Sequence, residues 1–271
     1  MSLLAAIILG IVQGLTEFLP VSSSAHLILA RAFFGWEVPS AFGLAFDVAL
    51  HVGTLAAIGA YFRADILAMV RAVPAALAPA PSDRSARLLH RIAVGTLPVV
   101  VVGLSFNDVI EHSLRTPAVA ALALAVGAAL MFAAERISSR TRDEDTISWL
   151  DALLIGCAQA SALIPGMSRS GSTIAIGMLL GLRRDAAARF TFLLAIPAMV
   201  AAGAKEALEL REIGLSGNDL LVMLVGGVVS AVVGYLTIKY FLRYLARHRL
   251  DVFAYYRWAL AAATAVWLWR A

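Results

Sequence analysis

Two stretches of this chain, 116–134 and 220–238, contain no charged residue. Each is close to the roughly 20 apolar residues that a helix needs to cross a bilayer. Composition agrees, with 61% hydrophobic and 15% charged residues, against about 45–50% and about 25% in ordinary soluble domains. A water-soluble globule is excluded, as are a disordered chain, a collagen, a coiled coil and a disulfide-stapled domain. Cys157 is the single cysteine, so no internal disulfide forms, and no Cys/His cluster offers a structural zinc site. The net charge of +4 lies in a few loops between apolar runs, which points to membrane orientation rather than to nucleic acid.

Six spans are expected, at about 41–62, 91–106, 116–134, 189–204, 219–239 and 252–269. Two further apolar segments are broken. In 1–35 the run meets Glu17, Pro20, Ser22, Ser23, Ser24 and His26 before resuming; in 148–183 it meets Pro165, Gly166, Ser168, Arg169, Ser170, Gly171 and Thr173. Arms of about 10–15 residues reach only about 15–22 Å at 1.5 Å per residue, short of a ~30 Å hydrocarbon core. Both segments therefore read as re-entrant helical hairpins; a kinked helix that spans is the plainer alternative. The chain divides into a first repeat, 1–136, and a second, 147–271, each a hairpin followed by three spans. A hairpin leaves on the side it entered and three spans change sides, so the second copy is expected to be inverted.

Charge gives an independent test. Arg63, Arg71, Arg84, Arg87 and Arg91 follow the first span, Arg136, Arg140 and Arg142 the third, and Lys239, Arg243, Arg247 and Arg249 the fifth, whereas 107–115 and 205–218 have no basic excess. The positive-inside rule puts the three basic loops in the cytoplasm and both termini outside. The first ten residues carry no basic group, so no cleavable signal is expected there. The fold class is an all-α polytopic membrane protein with six transmembrane helices and two re-entrant hairpins in an inverted-topology repeat.

The breaks carry the chemistry, since ionisable residues at membrane depth are costly. Gln13 and Glu17 stand four apart on one helix face, where a carboxylate holds a divalent cation, orients a histidine or caps the turn. Ser22, Ser23 and Ser24 with His26 offer an activated nucleophile and an acid, base or second nucleophile; one or two of these serines also suit a helix N-cap. In the second break, Arg169 presents a fork of donors to phosphate oxygens. Ser168, Ser170, Gly171 and Thr173 let backbone amides and a helix start approach an anion. Asp47 and His51, four apart in the first span, either support the site or pair structurally. Arg257, Arg189 and Asp151 read as interface or hairpin-entry charges. Gly226, Gly227, Gly234 and Trp258 suit helix contacts within one chain or between protomers, so a homodimer is one expectation. Hairpin tips meeting near the midplane would combine acid–base chemistry with an anion cradle, which implies a lipid phosphate or pyrophosphate substrate.

The runs Gln13 through Ser23 to His26 and Pro165 through Thr173, with Phe46 to His51, resemble the undecaprenyl pyrophosphate phosphatases linked to bacitracin resistance. The resemblance covers nearly the whole chain. It implies hydrolysis of C55 polyprenyl pyrophosphate to the monophosphate and inorganic phosphate, recycling the lipid carrier of cell-wall synthesis at the outer side of the bacterial cytoplasmic membrane. It also implies a divalent cation, Ca²⁺ or Mg²⁺. The family's acidic motif often reads Glu-x-x-x-Glu; here Gln13 takes the first position, leaving Glu17 as the principal carboxylate. By resemblance, Glu17, Ser23, His26 and Arg169 are catalytic, with Ser23 favoured as nucleophile and His26 as base or rival nucleophile. Ser22, Ser168, Ser170, Gly171 and Thr173 bind substrate, Glu17 and Gln13 hold the cation, and Asp47 and His51 stand behind them. A flippase or secondary transporter shares such an architecture but needs no serine and histidine beside a carboxylate. The Pro-Ser-Gly-His signature of the other large lipid-phosphatase group does not occur.

Overall fold

The computed structural model describes every residue except 35–39, 79–80, 107–108, 111–112, 210–215 and 271. Parts of the loops 107–115 and 205–218, which lack a basic excess, and the last positions of hairpin 1–35 and repeat 147–271, therefore lie outside the described residues. The chain is all-helical, and no strand occurs among the described residues; a lone bridge pairs Arg142 with Leu182. Helix α1 (Leu3–Thr16) starts where the Ser2 hydroxyl accepts the Ala5 amide, and α2 (Ser23–Phe34) follows the first break. Next come α3 (Ser40–Tyr61), α4 (Arg63–Arg71) and α5 (Val73–Ala76). Helix α6 (Arg84–Ser105) is capped by Asp83, and α7 (Pro117–Ile137) by Thr116 with proline at its first position, an arrangement that satisfies otherwise orphaned amides. Helix α8 (Trp149–Ser161) opens on a Ser148–Asp151 capping box, and α9 (Arg169–Leu179) follows the second break. The chain ends with α10 (Arg184–Glu209), α11 (Gly217–Leu245) and α12 (Asp251–Arg270).

Helices α6, α7, α10 and α11 are long and apolar enough to cross a membrane, and α3 with α4, bent by 74° at Phe62, makes a fifth candidate. The basic stretch after the first expected span is thus partly helical: α4 carries its Arg63 and Arg71, and α6 begins at Arg84 rather than near 91. Helix α12, expected as a span, has the length but is not among the candidates; Arg257 and its tyrosines lower its apolarity. The two hairpins match expectation in their arms, with 14 and 12 residues in α1 and α2 and 13 and 11 in α8 and α9. In each, the arms pack on one another.

Small residues bring the backbones together. Gly10 and Gly14 of α1 lie against the carbonyls of Gly226 and Ser230 in α11, Gly53 of α3 against that of Gly227, and Gly156 of α8 against Gly95 of α6. Gly226 and Gly234 accommodate the rings of Phe46 and Phe18, and the Trp258 indole donates to Ala125 O. Gly226, Gly227, Gly234 and Trp258 thus each make a helix contact within the chain.

Arg257 is the largest fully buried side chain among the described residues. Its guanidinium donates to Leu124 O (3.2 Å), Ala123 O (3.2 Å), Pro20 O (3.3 Å), Gly166 O (2.9 Å) and Met167 O (3.1 Å). The first two acceptors belong to α7, Pro20 to the first hairpin tip, and Gly166 and Met167 to the second. The interface-charge reading of Arg257 is therefore corrected: it ties both tips to one helix. Space for it depends on Gly127, where a Cβ would overlap the guanidinium. Removing a buried charge while its acceptors stay buried costs on the order of 3 kcal/mol. We expect Arg257→Leu and Gly127→Ala each to lower the melting temperature in detergent by about 10 °C, whereas Gly59→Ala, a helical position where a Cβ meets open space, does not lower it.

Candidate active site

Each hairpin turns at a serine held in the left-handed region, Ser22 at φ 75° and Ser168 at φ 67°. For a residue with a side chain this costs about 1–2 kcal/mol. Each serine offsets part of that by capping the helix it opens. Ser22 Oγ accepts the Ala25 amide (3.4 Å) and Ser168 Oγ the Gly171 amide (3.1 Å). Each hydroxyl also lies beside the serine two residues on, Ser24 at 3.2 Å and Ser170 at 3.3 Å. The two tips are built alike, with Ser23 at the centre of one and Arg169 at the centre of the other.

Those two residues meet at Glu17. Its Oε1 accepts from Arg169 Nη2 at 2.6 Å, and its Oε2 from Ser23 Oγ at 2.6 Å and Gln13 Nε2 at 3.0 Å. Glu17 and Arg169 are both largely withdrawn from solvent, so the attraction between them is weakly screened. His51 Nε2 stands 3.9 Å from Oε2. Arg169 Nη1 is buried with no hydrogen-bond partner. The hairpins also join through Ser170 Oγ, which donates to Leu19 O at 3.0 Å.

The other expected site residues divide. Ser168, Ser170 and Gly171 lie in the second tip, their polar groups spent on capping and on the tip-to-tip bond. The Thr173 hydroxyl donates to Arg169 O at 2.6 Å and accepts from Thr191 at 2.9 Å, which fixes the backbone that carries Arg169. Asp47 does not reach Glu17. It holds Arg31 through a two-pronged ion pair of 2.5 and 2.9 Å, binding α2 to α3, while His51 alone of that pair approaches the carboxylate. Asp151 is the expected hairpin-entry charge, capping α8 and pairing with Arg142 at 2.7 Å. Arg189 pairs with Glu144 and Asp65 across the short turn at 144–146. Burial raises the Glu144 carboxyl above the usual range although Arg189 and Arg84 oppose this.

His26 does not take the place beside Ser23 that the spacing suggests. Its Nδ1 lies 2.7 Å from Ser22 O and its Nε2 2.7 Å from the Tyr256 hydroxyl, with the two rings stacked. Tyr256, Arg31 and the structural role of Arg257 were not found from sequence. Arg31 and Asp47 are 16 residues apart, and α12 reads as an ordinary apolar helix; the adjacent Tyr256 and Arg257 were the only available signal.

The arrangement has the parts of an anion site. The N-termini of α2 and α9 sit at the tips, and amides of a first helical turn lack acceptors within the helix. Arg169 adds charge with a free donor. Among the described residues no three or more His, Cys, Asp or Glu side chains cluster to form a metal cage. Gln13 Oε1, however, is buried without a partner. With Glu17 it supplies two oxygen donors, which suits a hard divalent cation whose remaining ligands are substrate phosphates and water.

Fold and site together define a multi-pass helical membrane protein with an acid–guanidinium centre built from two broken hairpins. Residues 6–263 match the family described as "Bacitracin resistance protein BacA", and the chain belongs to that family. It is 44% identical over 270 residues to a protein of Rubrobacter xylanophilus named undecaprenyl-diphosphatase, covering 99% of both chains. It is 48% identical to undecaprenyl-diphosphatase 2 of Stutzerimonas stutzeri, covering 98% of both. Against the undecaprenyl-diphosphatase of Thioalkalivibrio sulfidiphilus the identity is 43%, covering 99% of this chain and 100% of the other.

A buried ion pair costs most when only one partner is lost. We expect Glu17→Leu and Arg169→Leu each to destabilise the protein by about 3–5 kcal/mol, and the double variant to be more stable than either. Thermal unfolding of the three variants in detergent checks this; additive losses would contradict the pairing.

Proposed function

We propose that this protein hydrolyses undecaprenyl pyrophosphate to undecaprenyl phosphate and inorganic phosphate, returning the lipid carrier to cell-wall synthesis and so conferring bacitracin resistance. The observation that carries the mechanism is that one carboxylate, Glu17, accepts from both Ser23 and Arg169. Arg169 binds the terminal phosphate through Nη1, and the first-turn amides of α2 and α9 that the serine caps leave free take further oxygens. Ser23 Oγ attacks the terminal phosphorus as its proton passes to Glu17. The bond from phosphorus to the bridging oxygen breaks, and undecaprenyl phosphate leaves with the electron pair and the proton. Glu17, ionised again, takes a proton from water, whose oxygen attacks the phosphoserine; that proton returns to Ser23 as phosphate departs. Positioning and charge neutralisation supply most of the rate in such transfers. Glu17 and Gln13 would hold a Mg²⁺ or Ca²⁺ ion, which when bound neutralises charge on the pyrophosphate oxygens.

The membrane arrangement is part of the proposal. The five candidates plus α12, its arginine hidden from lipid, make six spans, with the two hairpins re-entrant. An inverted repeat is supported by matched packing: α1 lies on α11, and α8 lies on α6. Gly10, Gln13, Ser22 and Ser24 each have a counterpart the same number of residues on, at Gly156, Gln159, Ser168 and Ser170. With the basic loops inside, the protein sits in the bacterial cytoplasmic membrane and the site opens to the outer side. A flippase reading has no use for a serine bonded to a buried carboxylate.

The test is phosphate release from C55 pyrophosphate by purified protein in detergent. We expect Ser23→Ala and Arg169→Ala to lose about 100-fold or more, and a chelator to abolish release until Mg²⁺ or Ca²⁺ is restored. Substrate-dependent lipid movement in vesicles without phosphate release would overturn the reading.

A further inference from the structure

His26 is the one ionisable group at the first tip that touches neither Glu17 nor Ser23 through a hydrogen bond, and its surroundings say what it does. The Ser22 carbonyl only accepts, so Nδ1, at 2.7 Å, carries the ring proton. In the neutral ring Nε2 is then the acceptor, and the Tyr256 hydroxyl at 2.7 Å donates to it. Both nitrogens are engaged, while the Ser23 proton is directed at Glu17. The contact at Nδ1 falls on the carbonyl of the residue with the left-handed backbone, immediately before Ser23. That same carbonyl also accepts the His26 amide at 3.2 Å.

The second hairpin supplies a comparison inside the molecule. Its tip makes the same left-handed serine turn at Ser168, and the residue matching His26 is Ser172, whose hydroxyl donates back to Met167 O at 3.1 Å. That tip has an arginine where the first has its serine at the centre, and it needs no base. The side chain four residues past the strained serine nevertheless returns to a carbonyl of the turn. In both tips this position braces the turn.

We infer that His26 is a positioning residue rather than a base or nucleophile, and that Tyr256 sets its tautomer. His26 Nδ1–H holds the Ser22 carbonyl so that Ser23 Oγ points at Glu17, and the Tyr256 hydroxyl on Nε2 keeps the proton on Nδ1. This rests on the phosphatase reading, and the experiment separates the two. Phosphate release from C55 pyrophosphate is measured for the purified full-length protein and for His26→Asn, His26→Gln, His26→Ala, Tyr256→Phe and the combination of His26→Asn with Tyr256→Phe. An asparagine amide nitrogen falls near the position of Nδ1; a glutamine amide falls near Nε2.

We expect His26→Asn to keep about a tenth or more of the wild-type kcat, with the Gln and Ala variants falling about 100-fold or further. Tyr256→Phe should lower kcat about 3- to 10-fold with KM within about twofold, and should have no further effect in the His26→Asn background. His26→Asn as inactive as His26→Ala, at an unchanged melting temperature, overturns the inference and returns proton transfer or attack to the imidazole. Tyr256→Phe with wild-type kcat overturns it too. Wild-type protein that releases no phosphate overturns the reaction itself.

Discussion

Where buried backbone leaves helical geometry its carbonyls and amides need partners other than the helix ladder, and this chain makes two such breaks, after Thr16 and after Ser161. The Arg257 guanidinium answers that constraint by donating to Pro20 O in one break and to Gly166 O and Met167 O in the other. A planar fork of donors suits the task, since lysine has the charge but not the spread. Charge on the arginine is tolerable because five carbonyls surround it, and Gly127 leaves the room. Two irregular loops thereby share one fixed reference, α7, and their relative position is set before any substrate binds.

With the tips so fixed, the Glu17–Arg169 pair is a consequence of fold as much as a stabilising contact. Its two halves are 152 residues apart in sequence and come from turns built on the same plan. One turn presents a hydroxyl at its centre, the other a guanidinium. A likeness in backbone, with left-handed Ser22 and Ser168 and their paired partners, thus produces a division of labour in chemistry. Preorganisation of this kind suits phosphoryl transfer, where much of the barrier is met by placing charge and aligning the attacking group.

Much of this was legible in the sequence, for physical reasons. Short apolar arms around Pro, Gly and Ser can only be broken hairpins or kinked spans, and the helices found match the arms. Glu17 and Arg169 stood out because charge amid apolar sequence is expensive. Arg257 stood out equally but was misread: its acceptors are backbone carbonyls, which carry no residue signature. Asp47 and His51 share a face by spacing, yet Asp47 turns to Arg31, a contact between helices that no local period encodes. The adjacency of Ser23 and His26 suggested a hydroxyl–imidazole pair. The ring instead turns back to Ser22 O, four residues earlier, as the His51 ring does to Asp47 O.

The group that first receives the phosphoryl distinguishes this mechanism from its rivals. Protein mixed with C55 pyrophosphate labelled in the terminal phosphate, quenched in acid within one turnover and mapped by peptide fragmentation, reports it directly. We expect acid-stable label on Ser23 that forms before phosphate is released and decays as release proceeds. Turnover at the full rate with no label on Ser23 would contradict the mechanism.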